Sequence, residues 1–336
     1  MAQKRKNTPS SSNKNSDPHI VVIGGGTGIH GLLRGLKKYT DNITAIVTMM
    51  DSGGSSGRLR DEFGHLPPGD SRQALVALTN DDRSLLILRQ LFNYRFAKGE
   101  GLEGHSFGNL FLTALTEVTG GADKAIAQAG RILGIKGKVM PVTLTSSNLV
   151  ARLEDGSEIV GETNIDVRKE KVNIPIDYVY LDPKAYAYAP AIEEIAKADI
   201  VVLGPGDLYT SIIPNLLVDG IAEAINFSKA KKVYACNLMT KHGESDNFKA
   251  SDFIREIHNY LEDGSIDYAI LNKSSFPEKI LKRYSKELAF PVESDLAECE
   301  KMAKNILVKD LVIQGTLIRH DEGKLARLII NIASRK

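Results

Sequence analysis

Apolar and polar positions along this chain change period repeatedly, and each change marks an element. Short, nearly continuous apolar runs occur at Ile20 to Ile23, Ile43 to Met50, Ile200 to Leu203, Val233 to Cys236 and Tyr268 to Leu271. Continuous rather than alternating apolarity is the mark of strands covered on both faces. Helical spacing between the runs, as at Ile29, Leu32, Leu33 and Leu36, supplies that cover. The alternation predicts an α/β fold, a Rossmann-like, doubly wound, mainly parallel sheet. From Asn148 to Leu181 the pattern differs: two alternating runs flank Asp155 and Gly156, a hairpin signal, and VNIPIDYVYL follows. A small β-rich insertion is expected at about 148–181, suited to a lid or an oligomerisation flap. Further helices are expected over Ala74 to Leu78, Pro190 to Lys197 and Leu216 to Ile225.

Residues 1–18 are basic, rich in Ser and Asn, and lack an apolar segment after the charges, so they read as a disordered tail and not a secretory signal. Residues 19–336 are then expected to form one domain carrying the insertion. No run approaches the roughly 18 apolar residues of a membrane span. The 336 residues hold 43 Lys and Arg against 42 Asp and Glu, a net charge of +1, which provides no whole-chain field for nucleic acid. Cys236 and Cys299 show no CxxC spacing, so neither a disulfide framework nor a zinc knuckle is indicated, and the reducing cytoplasm is the expected compartment.

Candidate chemistry lies where the apolar runs end. Gly24, Gly25, Gly26, Thr27 and Gly28 follow the first run and lead into a helix, the arrangement that presents backbone N–H groups and a helix N-terminus to a phosphate. Gly26, Gly28 and Gly31 also satisfy GxGxxG, with Asp51 placed for a ribose, so an NAD-dependent oxidoreductase is one alternative. The second run enters Asp51, Ser52, Gly53, Gly54, Ser55, Ser56 and Gly57, a polar loop expected to close over a ligand, with the guanidinium forks of Arg58 and Arg60 behind it. Gly53, Ser55 and Gly57 formally match GxSxG, but no acid and base partners are marked. Asp70 reads equally as a functional carboxylate and, with Gln73, as a helix-capping pair. Gly104 to Asn109 reads as a second anion-facing helix start. Gly204, Pro205 and Gly206 form a further phosphate cradle, with Asp207, Thr210 and Ser211 offering oxygens to a hydroxyl or metal. Asn237, Met239, Gly243, Glu244 and Asp246 follow the fourth run. Ligands of open α/β sheets collect beyond the carboxyl ends of strands, where all these loops fall. Neither HxxxH nor HExxH occurs, so no dedicated transition-metal site is expected, and the absence of GxxxxGK[ST] excludes an ordinary P-loop NTPase.

GGGTG at Gly24 to Gly28, DSGGSSGRLR at Asp51 to Arg60, LPPGD at Leu66 to Asp70, GHSFGN at Gly104 to Asn109, LGPGDLYTSIIPNLL at Leu203 to Leu217 and NLMTKHGESD at Asn237 to Asp246 together resemble the YvcK branch of the CofD-like family. The resemblance runs from about His19 to Ile330. It implies a cytoplasmic gluconeogenesis factor, needed for cell shape and wall synthesis on gluconeogenic carbon sources, that binds a UDP-sugar or another nucleoside diphosphate. By the same resemblance Tyr284 and Arg319 help to hold that ligand, Arg319 on the pyrophosphate. A homodimer and regulators of cell-wall synthesis are the protein partners it admits. The other branch consists of 2-phospho-L-lactate transferases, so the enzymatic alternative moves a phospholactyl group from a nucleoside diphosphate carrier. In that case Asp51, Asp70 and Asp207 are the candidate catalytic carboxylates, with Mg²⁺ near Asp51 or Asp207.

Overall fold

The computed structural model describes residues 17–336 apart from 83–84, 169–173, 263, 274, 314, 316 and 336, and apart from the side chains of Gly26 and Thr27. The expected tail, except residues 17 and 18, lies outside the described residues. Among the described residues ten strands follow in chain order: β1 (Ile20–Gly24), β2 (Ile43–Val47), β3 (Lys138–Pro141), β4 (Asn148–Leu153), β5 (Glu158–Val160), β6 (Ile176–Asp182), β7 (Ile200–Leu203), β8 (Lys231–Ala235), β9 (Ile266–Asn272) and β10 (Ala303–Lys309). Seven of them form a parallel sheet in the order β10-β9-β8-β7-β1-β2-β3. The chain winds outward from β1 to β3, returns to β7 beside β1, and winds outward the other way. The reversal therefore falls between β1 and β7, where such sheets open a crevice at the strands' carboxyl ends.

All five expected runs are strands of this sheet. β1 and β7 are buried along their whole length, which is why their sequences are apolar without interruption. β3 and β10 gave no such signal. They are the two edge strands, exposed on part of their surface, and KVMP and AKNILVK mix lysines with the apolar positions accordingly.

The insertion forms a separate antiparallel sheet, β5-β4-β6, with the β4–β5 hairpin turning at Asp155 and Gly156, where Gly156 takes φ +87°. Its Leu149, Ala151, Leu153, Val179 and Leu181 join the same buried apolar cluster as the main sheet. A one-turn helix, Glu162–Asp166, follows β5.

Three helices frame the crevice: α1 (Gly26–Leu36), α2 (Gly54–Phe63) and α3 (Gly69–Leu78). Across α1 lies the C-terminal helix Glu322–Ala333. A methyl on Gly35 would overlap the Glu322 carbonyl and come within 2.8 Å of the Ala326 methyl, and one on Gly31 would touch Glu322 at 3.4 Å. Gly35 thus serves a helix crossing, whereas Gly31, the third glycine of the dinucleotide-like pattern, lines the crevice and makes only ordinary contact there.

Three local expectations are corrected. Asp51 to Gly57 is not one open loop, because α2 begins at Gly54 and buries Ser55, Ser56 and Gly57 in its first turn. Asp70 does not cap α3: Pro68 occupies the N-cap position and no side chain caps that end. The helix expected over Leu216 to Ile225 is divided. A π-turn at Leu208–Ile212 and a short helix Ile213–Leu216 precede Gly220, whose φ of +94° stops the chain before a new helix, Ile221–Phe227.

Candidate functional site

The turn after β1 and the turn after β7 touch. An added methyl on Gly28 would overlap the Pro205 carbonyl and lie 2.8 Å from Gly206 Cα, while one on Gly206 would meet the Gly25 carbonyl at 3.6 Å. The Gly204 N–H donates to the Ile23 carbonyl (3.0 Å), and the Asn237 side-chain amide donates to the Gly206 carbonyl (2.9 Å). Gly204 takes φ +75°, a left-handed conformation that favours glycine. The two glycine cradles thus form one rim at the β1–β7 reversal.

That rim opens on a cavity of about 650 Å³. Of the residues expected from the sequence, Gly28, Asp51, Asp70, Gly206, Asp207, Ser211, Asn237, Met239, Tyr284 and Arg319 line it. Gly24 ends β1, Gly25 is the N-cap of α1, and Gly26 and Thr27 form its first turn. Ser52, Gly53 and Gly54 lie behind the wall: Ser52 Oγ accepts from the Thr163 N–H (3.0 Å) and Asp51 Oδ1 accepts from the Gly53 N–H (2.9 Å). Thr210 is buried and donates to Glu244 Oε1 (3.1 Å), away from the cavity.

The loop arginines are not where the sequence suggested. Arg58 donates to the Glu103 carbonyl (2.8 Å), and Arg60 bonds Asp61 and Asn148. Arg34 of α1, Arg72 of α3 and Arg319 line the cavity instead. Arg72 is positioned by Asn109, whose side-chain oxygen accepts from Nε (2.9 Å), and by Asn93 (3.2 Å). The Gly104 to Asn109 segment is therefore a support. Ser106 caps its helix through Asn109 N (3.2 Å), and buried Ser55 Oγ lies 3.1 Å from His105 Nδ1, tying α2 to that helix. Tyr284 acts similarly, its hydroxyl accepting from the Ile318 N–H (3.0 Å) next to Arg319.

Helix residues such as His30, Arg34 and Arg72 carry no motif, so only their positions in the fold reveal them. Glu162 and Asp166 were equally hidden. Both come from the insertion's one-turn helix and line the cavity.

Electrostatically the wall has two ends. Burial, then Arg34, Arg72 and Arg319, push the His30 imidazole down to about 4, so it stays neutral at pH 7. Burial, then Asp51, Asp166 and Asp70, push Glu162 up to about 8. His320, also in the wall, is buried and lowered to about 4 while its Nε2–H donates to the Cys236 carbonyl (3.2 Å).

The sign of the Glu162 contribution to stability follows. Between about 4.5 and 8 the native protein keeps a proton that the unfolded chain has released, so stability falls as pH rises through that window. Glu162→Gln is expected to leave stability unchanged near pH 4.5 and to raise it increasingly up to pH 8. The gain at pH 8 is expected to be about 2 kcal/mol, well under what about 1.4 kcal/mol for each pH unit of that window would allow. Urea midpoints of variant and parent across that range check it, and a constant difference would refute it.

Asp166, Asp207 and Glu244 bring carboxylate oxygens within 4.8 Å of one another, a spacing that a divalent cation accepts. The place is taken by Lys241. Its ammonium lies 2.7 Å from Asp207 Oδ2 and 3.3 Å from Glu244 Oε1 and is ion-paired with Asp166. Against burial, which lowers it, these three carboxylates hold the Lys241 amine above its ordinary range. Burial foremost, with Asp207 adding, raises Glu244. The Mg²⁺ position expected near Asp207 thus has a built-in cation. Asp51, Asp70 and Glu162 lie elsewhere in the cavity wall. Among the described residues no helix is long and apolar enough to cross a membrane.

Residues 20–312 match the family model described as 2-phospho-L-lactate transferase CofD. The chain is 40% identical to the gluconeogenesis factor of Bacillus subtilis over 317 residues, 94% of this chain and 98% of that one. It is 41% identical to the gluconeogenesis factor of Halalkalibacterium halodurans over 314 residues, 93% of this chain and 95% of the relative. A crystal structure of a Bacillus halodurans protein superposes with a TM-score of 0.88 at 41% identity, covering 94% of this chain and all of that one. With the glycine-rimmed crevice at the β1–β7 reversal, these matches lead to one conclusion: the chain belongs to the CofD family, in its gluconeogenesis-factor branch.

Proposed function

We propose that this protein is a cytoplasmic nucleotide-sugar-binding regulator, taking a UDP-sugar in the cavity between the two glycine cradles and serving cell shape and wall synthesis on gluconeogenic carbon sources. One observation carries the ligand class: the start of α1, the Gly204–Gly206 turn, and Arg34, Arg72 and Arg319 all meet at one 650 Å³ cavity. Backbone N–H groups at a helix start and fixed guanidinium groups favour a diphosphate. The volume falls within the range of sites for ligands of this size.

In this reading Gly28 and Gly206 allow the diphosphate to approach the backbone, Arg319 and Arg72 neutralise it, and Tyr284 fixes the segment that carries Arg319. A ligand that binds only the folded protein raises its melting temperature, by about 2.7 kcal/mol of added stability at a hundredfold excess over Kd. Thermal shifts with UDP-N-acetylglucosamine, GDP and NAD are therefore the test. A shift with the UDP-sugar and no consumption of it is expected. A shift with NAD alone would overturn the reading, and release of a nucleoside monophosphate in the presence of an acceptor would transfer the protein to the transferases.

A further inference from the structure

The cavity is polar in the electrical sense, and that polarity orients a ligand. The His30 end, formed by α1, α3 and the Arg319 segment, is surrounded by Arg34, Arg72 and Arg319. At the other end Asp51 and Asp207, from the ends of β2 and β7, meet Glu162 and Asp166 of the insertion. Burial foremost, with the charges of Asp51, Asp166 and Asp70 adding to it, retains a proton on Glu162, just as burial and then the arginines keep His30 neutral. Lys241, the cation adjoining this acidic wall, is already engaged by Asp166, Asp207 and Glu244.

We infer that the acidic wall contributed by the insertion receives a neutral, hydroxyl-bearing sugar and rejects a sugar acid, making Asp166 and Asp51 specificity determinants of the site. This rests on the nucleotide-sugar reading above and deepens it. The diphosphate occupies the arginine end, which directs the sugar toward the carboxylates. Carboxylates accept hydrogen bonds from sugar hydroxyls, and a protonated Glu162 donates one to a sugar oxygen. A carboxylate in place of the hydroxymethyl group would stand among like charges, with Lys241 already shared by three carboxylates and Arg72 already within electrostatic reach of Asp51 and Asp70, and one pair of like charges at short range costs several kcal/mol in a partly dry site.

UDP-glucose and UDP-glucuronate differ at that one group and share everything the arginine end recognises. Titration calorimetry with UDP, UDP-glucose and UDP-glucuronate, at pH 7.5 with EDTA, decides the matter. UDP-glucose is expected to bind more tightly than UDP, and UDP-glucuronate at least tenfold more weakly than UDP-glucose. Asp166→Asn is expected to narrow that gap about fivefold by tightening UDP-glucuronate, with affinity for UDP as the internal control. Asp51→Asn serves the same purpose if the first variant does not fold. Equal affinity for the two sugars in the parent protein, or a gap that neither variant changes, overturns the assignment while binding of UDP leaves the nucleotide reading intact. Failure of UDP and both sugars to bind defeats the nucleotide reading and this inference with it.

Discussion

Gly28→Ala is expected to abolish measurable UDP-sugar binding and to lower stability by about 2–3 kcal/mol, the range for forcing a methyl group into a packed site. The physical reason is the contact between the two cradles. The added carbon would overlap the Pro205 carbonyl, 2.7 Å from its carbon and 2.8 Å from Gly206 Cα, and all of these atoms are backbone. A flexible side chain could swing aside, but a turn joining β7 to a π-turn cannot do so without moving Gly206. The strain therefore falls on the amides proposed to face the diphosphate. Denaturant midpoints give the stability loss, and titration with UDP-N-acetylglucosamine gives the binding loss. Retained affinity with lowered stability would mean that the cradle only packs the sheet and that the ligand sits elsewhere.

Lys241→Met is expected to have the other large effect, a loss of about 3 kcal/mol, corresponding to roughly 5–10 °C in Tm. Removing one member of a buried ionic group leaves the others uncompensated, and here three carboxylates lose one ammonium. Glu244 has only 1% side-chain exposure, whereas Lys241 retains 28%, so the low end of the usual 3–5 kcal/mol range applies. Glu244 also anchors the π-turn by accepting from the Tyr209 N–H and the Thr210 hydroxyl, both at 3.1 Å. Disturbance should therefore spread to Asp207 and to the insertion helix. Pairing the change with Glu244→Gln removes one of the stranded charges and should recover part of the loss. Additive losses in the double variant would show that the four groups do not act as a unit.

The insertion takes on a definite role once its contacts are considered. It docks through Thr163 on Ser52 and through Asp166 on Lys241, and it contributes two carboxylates to the cavity. The alternating pattern at Asn148 to Leu181 announced a small sheet, but nothing in it singled out Glu162 and Asp166. Their importance depends on which loops of the main sheet they face. Arg58 and Arg60 teach the opposite lesson. Their place after a glycine-rich loop suggested ligand contact, yet α2 starts at Gly54 and directs Arg58 to the Glu103 carbonyl and Arg60 to Asn148 of β4.

By itself the chain's order of residues determined the central strands, the parallel sheet, the β insertion and the glycine turns at strand ends. These follow from local rules: burial on both faces demands uninterrupted apolar residues, and close backbone approach demands glycine. Only the tertiary structure decided which charges meet. Arg34 and Arg72 lie within helices, and Lys241 comes from a loop far along the chain from the one-turn helix that carries Glu162 and Asp166. A charged side chain acts through distance and desolvation, and both are set by the winding of the sheet and the docking of the insertion.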